Sequence, residues 1–197
     1  MIRQEIKGEK KYGIRTTGAD ELIHLEKLGI DISHATLYMP VSYSLLEAIF
    51  EQLPPLPRTH FVDIGCGKGR ALCVAAYHSF KKVTGIDFSK KLCEDATSNL
   101  ALTHINLPSL QYKVINNDAF YFDIPDDADC IFLFNPFDEI IMSAVVKNIR
   151  KSLQRNNRTV KIIYVNPLHK TYFLNAGFAE TWHSKKLKYI EAVILSN

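Results

Sequence analysis

The residues best suited to chemistry are three acids and a glycine-rich loop. Phe61-Val62-Asp63-Ile64 is a short apolar run interrupted by a carboxylate, and Gly65-Cys66-Gly67-Lys68-Gly69-Arg70 follows at once. Ala71 to Ala76 then continues with helical character. A strand, a tight glycine turn and a helix start bring backbone N–H groups close to a ligand. About 20 residues on, Val83-Thr84-Gly85-Ile86 reads as a second strand closed by Asp87 and Phe88. An acid at that spacing accepts both hydroxyls of a ribose. Further polar groups follow later apolar runs: Asp118-Ala119-Phe120, Asn135-Pro136-Phe137, and His169 after Asn166-Pro167-Leu168.

Two kinds of ligand compete for such a loop. A dinucleotide requires G-x-G-x-x-G, with the last glycine where the helix packs on the strand. Here Arg70 occupies that place and the third glycine, Gly69, comes one residue early. Asp63 would repel a pyrophosphate and welcome a cation. S-adenosyl-L-methionine carries an ammonium and a sulfonium and no phosphate, so it suits Asp63. Another Rossmann-like nucleotide binder is the alternative on these residues alone.

The glycine loop, Asp63 and Asp87 on a strand–helix–strand rhythm resemble the first two motifs of the class I S-adenosylmethionine-dependent methyltransferases. The resemblance implies that Asp63, Gly65, Gly67 and Gly69 hold the methionine end, with Cys66 a small side chain tolerated beside it. It places Asp87 on the ribose, and Asp118 with Ala119, which match the third motif, on the adenine. Phe88 packs on the adenine or fills core. Tyr38 or Tyr43 falls where the family places a lid.

Asn135-Pro136-Phe137 resembles the Asn-Pro-Pro-aromatic motif of methyltransferases that act on amines or amides. There the Asn and a following carbonyl accept hydrogen bonds from the substrate nitrogen, and the aromatic packs on the acceptor. Asn135 also borders the cofactor. One proline of the motif is missing, and Asp138-Glu139 follow directly. The plainer reading is that Pro136 ends a strand and Asp138 caps the next helix. Nitrogen methylation is the expectation. The alternatives are oxygen methylation of a small metabolite with His169 as base, and a non-catalytic cofactor-binding module. Gly13 to Gly18, Leu28 to Asp31, Tyr38-Met39-Pro40 and Leu133 to Phe137 extend the likeness to a group of small bacterial methyltransferases. That group fixes the cofactor and leaves the acceptor open.

The elements that must position these residues follow from periodicity. Residues 1–20 are polar and glycine-containing and read as a loose arm, and Asp20 to Leu28 as a short helix stopped by Gly29. Leu45, Leu46, Ile49, Phe50 and Leu53 recur at helical spacing before Pro54, Pro55 and Pro57. Beyond Asp87 the chain reads as helix 92–102, strand 110–115, strand 128–134, helix 139–153, strand 160–165, a short helix 170–175 and two terminal strands in a hairpin. The expected fold is α/β: a doubly wound, mostly parallel seven-stranded sheet with an antiparallel terminal hairpin strand, helices on both faces and an N-terminal helical extension. Residues 1–58 form the arm and helices that pack on a methyltransferase domain at 59–197, in one structural unit.

Composition narrows the classes. Among 197 residues 47% are apolar and 23% charged, with a net charge of +3. No apolar run approaches the roughly 20 residues of a membrane span. Met1 to Arg15 has no apolar segment of a secretory signal. Cys66, Cys73, Cys93 and Cys130 form no C-x-x-C pair, so reduced buried thiols and no metal are expected, in a cytoplasmic protein. Seven Lys or Arg and no acid lie between Ile140 and Ala179. Lys147, Arg150, Lys151, Arg155 and Arg158 fall at the sheet edge away from the site and near a helix C-terminus, so a nucleic acid is not indicated. Lys170, Lys185, Lys186 and Lys188 fall on the active edge. The expected partner is an unidentified methyl acceptor, with the oligomeric state open.

Overall fold

The computed structural model describes residues 2–17, 40–53, 59–134, 137–187 and 190–197. The expected helix 20–28, Tyr38, the prolines 54, 55 and 57, Asn135, Pro136 and Lys188 lie outside the described residues.

The apolar runs become the strands of one seven-stranded sheet: β1 (His60–Ile64), β2 (Lys82–Asp87), β3 (Gln111–Asn116), β4 (Cys130–Phe134), β5 (Lys161–Val165), β6 (Ala179–Leu187) and β7 (Ile190–Ser196). Their order is β3-β2-β1-β4-β5-β7-β6. β1 to β5 pair in parallel, whereas β7 is antiparallel to both β5 and β6. The chain builds outward from β1 to β3, then returns to the other side of β1 to lay down β4. That reversal opens a crevice at the carboxyl ends of β1 and β4, where open parallel sheets bind their ligands.

Alternation along β1 divides two cores. Phe61 joins one with Leu46, Phe50, Leu72 and Phe132, while Val62 and Ile64 join the other with Ile131, Leu133, Val145 and Ile149. The first core lies under α1 (Ile2–Tyr12), α2 (Tyr43–Phe50), α3 (Arg70–Tyr77) and α4 (Lys90–Asn106). The second lies under α5 (Glu139–Arg155) and α6 (Lys170–Asn175). Side chains of Ser42, Ser89 and Asp138 cap α2, α4 and α5 by accepting from Leu45, Leu92 and Ile141 N–H. Asp138 is thus committed to capping.

The beginning of the chain corrects the expectation of a loose arm. α1 is a docked helix, and Tyr12, Ile14 and Thr16 are buried. Tyr12 stacks on Tyr43 with ring centroids 5.6 Å apart, and its hydroxyl donates to Glu47 at 2.9 Å. Gly8 makes this approach possible: a Cβ there would lie 2.1 Å from the Tyr43 ring. A glycine that reads as looseness is in fact a contact surface.

The basic residues on and after α5 hold the fold together at the far edge. Arg155 pairs with Asp123 and Asp126, and Arg158 donates to the carbonyls of Pro125 and Ala128. Arg150 donates to the carbonyl of Ala176. Lys170 pairs with Glu180 at 2.7 Å. No described helix is long and apolar enough to cross a membrane.

Gly85 faces Asp63 across the β1–β2 ladder, and a Cβ there would lie 2.5 Å from Leu72 Cδ1 and 2.8 Å from Cys66 Sγ. Gly85→Ala should therefore destabilise by about 1–3 kcal/mol. The expected reading is a lower urea midpoint with an unchanged slope.

Candidate cofactor site

The loop after β1 reverses direction on three glycines with left-handed backbone, Gly65 (φ 82°), Gly67 (φ 52°) and Gly69 (φ 78°). Only glycine adopts this region without cost. Gly69 has a second constraint, since a Cβ would lie 3.1 Å from that of Ala96 on α4. The loop is sewn to the end of β2. The N–H groups of Gly65 and Cys66 both donate to the Ile86 carbonyl, at 2.8 and 2.9 Å. That of Gly67 donates to Asp87 Oδ2 at 2.8 Å, and Ser89 N–H to Asp87 Oδ1 at 2.9 Å. Each carboxylate oxygen can accept two hydrogen bonds, so holding the loop leaves Asp87 capacity for a ligand hydroxyl. Phe88 is half-buried beside it.

Asp63 sits in the central strand, between Gly85 of β2 and Phe132 of β4, and only 3% of it is exposed. By alternation it shares the face of Phe61, the face covered by α1 to α4. Asp118 is exposed after β3 and accepts the Phe120 N–H at 2.8 Å, with Ala119 buried next to it. Phe137 is half-buried and packs on the core beneath α5 and α6. His169 stands at the N-terminal end of α6, its N–H donating to the Tyr164 hydroxyl at 3.3 Å and its ring edge-on to Tyr172. Tyr43 is buried, and its hydroxyl lies 2.9 Å from Thr16 Oγ1. The carboxyl ends of neighbouring strands therefore carry Asp63, Asp87 and Asp118. Tyr38, Asn135 and Pro136 are outside the described residues.

Residues 61–156 match the family model of a methyltransferase domain. They contain the loop and all three acids. The matched segment is just under half of the chain, and it is described as a methyltransferase domain.

Solved structures share the fold. A ribosomal protein L11 methylase from Lactobacillus delbrueckii is 16% identical, with a TM-score of 0.60 over 78% of this chain and 76% of its own. A putative O-methyltransferase from Nostoc punctiforme is 17% identical, with a TM-score of 0.62 over 78% of this chain. The present chain spans only 56% of that protein's length. An S-adenosylmethionine-dependent methyltransferase from Mesorhizobium loti is 12% identical, with a TM-score of 0.60 over 79% of this chain and 97% of its own. At such identities the likeness is one of fold. No curated protein matches the sequence significantly.

The electrostatics of the site suit a cationic ligand. Burial pushes the Asp63 carboxyl well above the usual carboxylate range, and the charge of Asp87 adds to this. Among the described residues no cation pairs with it. A buried acid so placed gains from an incoming ammonium or sulfonium. Burial likewise pushes up the Cys66 thiol, and the Cys93 thiol to about 12, so neither is a thiolate nucleophile.

Two residues of this site escaped the sequence reading, Arg70 and Asn99. Arg70 is 2% exposed, and its guanidinium lies over the Tyr43 ring at 4.1 Å. Its Nη2 is the one described buried side-chain nitrogen or oxygen without a hydrogen-bond partner. An orphaned buried donor costs about 1–3 kcal/mol. The signal for Asn99 was its place on the buried stripe Leu92, Ala96, Asn99, Thr103 of α4; for Arg70 it was the place where a glycine was expected.

The linkage of Asp63 to stability has a definite sign. Unfolded, it titrates near pH 3.9; folded, it keeps its proton to higher pH. The native state thus binds more protons between those values, and stability falls as pH rises through that window. Asp63→Asn should be more stable than wild type in urea at pH 7 and equal to it below about pH 4. It should also bind S-adenosylmethionine more weakly, and calorimetry should show affinity strengthening with rising pH in wild type but not in the variant.

Proposed function

We propose that this protein transfers a methyl group from S-adenosylmethionine to a nitrogen of its acceptor. The observation that carries the reading is the buried, unneutralised Asp63 at the strand crossover, beside a glycine loop held by Asp87. The cofactor supplies an electrophilic methyl group on a sulfonium. Asp63 would receive the cation at its methionine end. The start of α3 would face the carboxylate of that end, and Asp87 would accept from the ribose. Asp118 and Ala119 would border the adenine.

Methyl transfer is an in-line displacement, so holding the acceptor at the right distance and excluding water supply much of the rate. Nitrogen is favoured by the sequence Asn135-Pro136-Phe137, which directly follows β4, the strand paired with β1. Its carbonyl and amide groups would accept N–H bonds and direct the lone pair, with no covalent intermediate. The half-buried imidazole of His169 favours a second reading, oxygen methylation with His169 as general base. The similar solved structures include both a ribosomal protein methylase and an O-methyltransferase, so the fold does not choose. The acceptor would be recognised by the N-terminal segment, the chain after Phe137 and the β6–β7 hairpin.

Calorimetric titration with S-adenosylmethionine, S-adenosylhomocysteine and NAD tests the cofactor. Asp87→Ala should weaken both adenosyl ligands by about 10- to 100-fold, the worth of hydrogen bonds to a charged group. Binding of NAD alone would overturn the reading. Labelled-methyl screening of proteins, RNA and metabolites then identifies the acceptor. On that acceptor Phe137→Ala should lower kcat at least about tenfold with cofactor affinity unchanged, and His169→Ala should leave kcat intact. Loss of turnover in His169→Ala alone would favour the oxygen reading, and unchanged turnover in Phe137→Ala would remove that residue from the acceptor site.

A further inference from the structure

Residues 2–17 are tied to the glycine loop by contacts that cofactor binding itself does not explain. Asn99, in the middle of α4 and 4% exposed, makes three hydrogen bonds. Its Oδ1 accepts the Arg15 N–H at 2.9 Å, and its Nδ2 donates to the carbonyls of Arg15 at 3.0 Å and Lys68 at 2.9 Å. One amide thus pairs with both backbone groups of residue 15, as a neighbouring strand would, and grips the carbonyl between Gly67 and Gly69. One residue further, Thr16 Oγ1 accepts from Arg70 Nε at 2.7 Å. Arg70 Nη1 donates to Glu5 of α1 at 2.5 Å and to the Val41 carbonyl at 2.8 Å. Glu9 closes the circle: its Oε1 accepts the N–H of Thr16 at 2.6 Å, and the N–H and hydroxyl of Thr17, each at 2.7 Å.

The contacts of Arg70 and Asn99 with Glu5, Arg15 and Thr16 join residues 54 to 84 positions apart, so they are tertiary and not local. They bear on the loop at both ends of its last glycine, Lys68 on one side and Arg70 on the other. Three glycines lose much conformational freedom when the loop is ordered. A brace that orders it beforehand lowers the cost of binding.

We propose that Asn99 and Arg70 are positioning residues that make residues 13–17 part of the cofactor loop, so that docking of α1 and binding of the cofactor strengthen each other. The proposal rests on the methyltransferase reading above. Neither Asn99 nor the segment it holds needs to touch the cofactor. Thermodynamic reciprocity then requires that the cofactor also tighten α1.

The test uses Asn99→Ala and Glu9→Ala in the full chain, with S-adenosylhomocysteine as the probe. Glu9 is partly exposed, so its variant keeps the fold and decides the matter if Asn99→Ala does not fold. Affinity is read by calorimetry, and hydrogen exchange of residues 2–12 is read with and without ligand. In wild type the ligand should slow exchange in α1. In the variants affinity should fall more than about threefold, and the ligand should no longer protect α1. A loss of threefold or less, or an α1 in wild type that is indifferent to ligand, overturns the proposal. A folded wild type that binds no adenosyl ligand overturns the methyltransferase reading itself, which is a different result.

Discussion

A carboxylate removed from water, with no cation among the described residues to balance it, is the constraint around which this molecule is arranged. Asp63 occupies the middle of the central strand, at the point where the chain changes direction across the sheet. A packed apolar core would not place an acid there, and its burial favours the protonated form. The arrangement makes sense when the missing charge arrives with the ligand. Asp87, one strand away, has the complementary task. Its Oδ2 fastens the glycine loop through the Gly67 N–H while Oδ1 accepts from Ser89, so the loop is already bent when the cofactor comes. One acid is held in reserve and the other serves as scaffold.

Much of this was legible in the sequence because the signals are local. β1, its glycine turn and α3 are contiguous, and the left-handed turns need glycines that can be read by eye. β4 shows itself as an unbroken apolar run because it is buried on both faces. The final hairpin and the short helix before Gly177 were equally plain. Strand and helix ends shifted by a few residues, as at α4, which runs on to Asn106 because Thr103 remains in the buried stripe.

What the sequence hid depends on partners far away. α1 is polar along most of its length and has a glycine in its middle, so nothing local marks it as docked. Its place is decided by Tyr43, Glu47 and Arg70, which lie 31 to 65 residues on or fit around Gly8. Arg70 and Asn99 were passed over because a buried guanidinium and a buried amide on a helix look like surface residues until their acceptors are known. The basic run on and after α5 was placed away from the site, and there it holds the fold. Its arginines serve carbonyls and acids of the chain itself.

The position of α1 in the chain has a consequence for the order of assembly. Glu5 of α1 precedes its partner Arg70 by 65 positions, and Arg15 precedes Asn99 by 84. The crevice also needs β4, whose last residue is Phe134. The brace is complete once Asn99 exists, before β4 does. Long-range closure of this kind slows folding. It also means that a nascent chain stalled before α4 has a glycine loop and the Arg70 half of its brace, but not the Asn99 half.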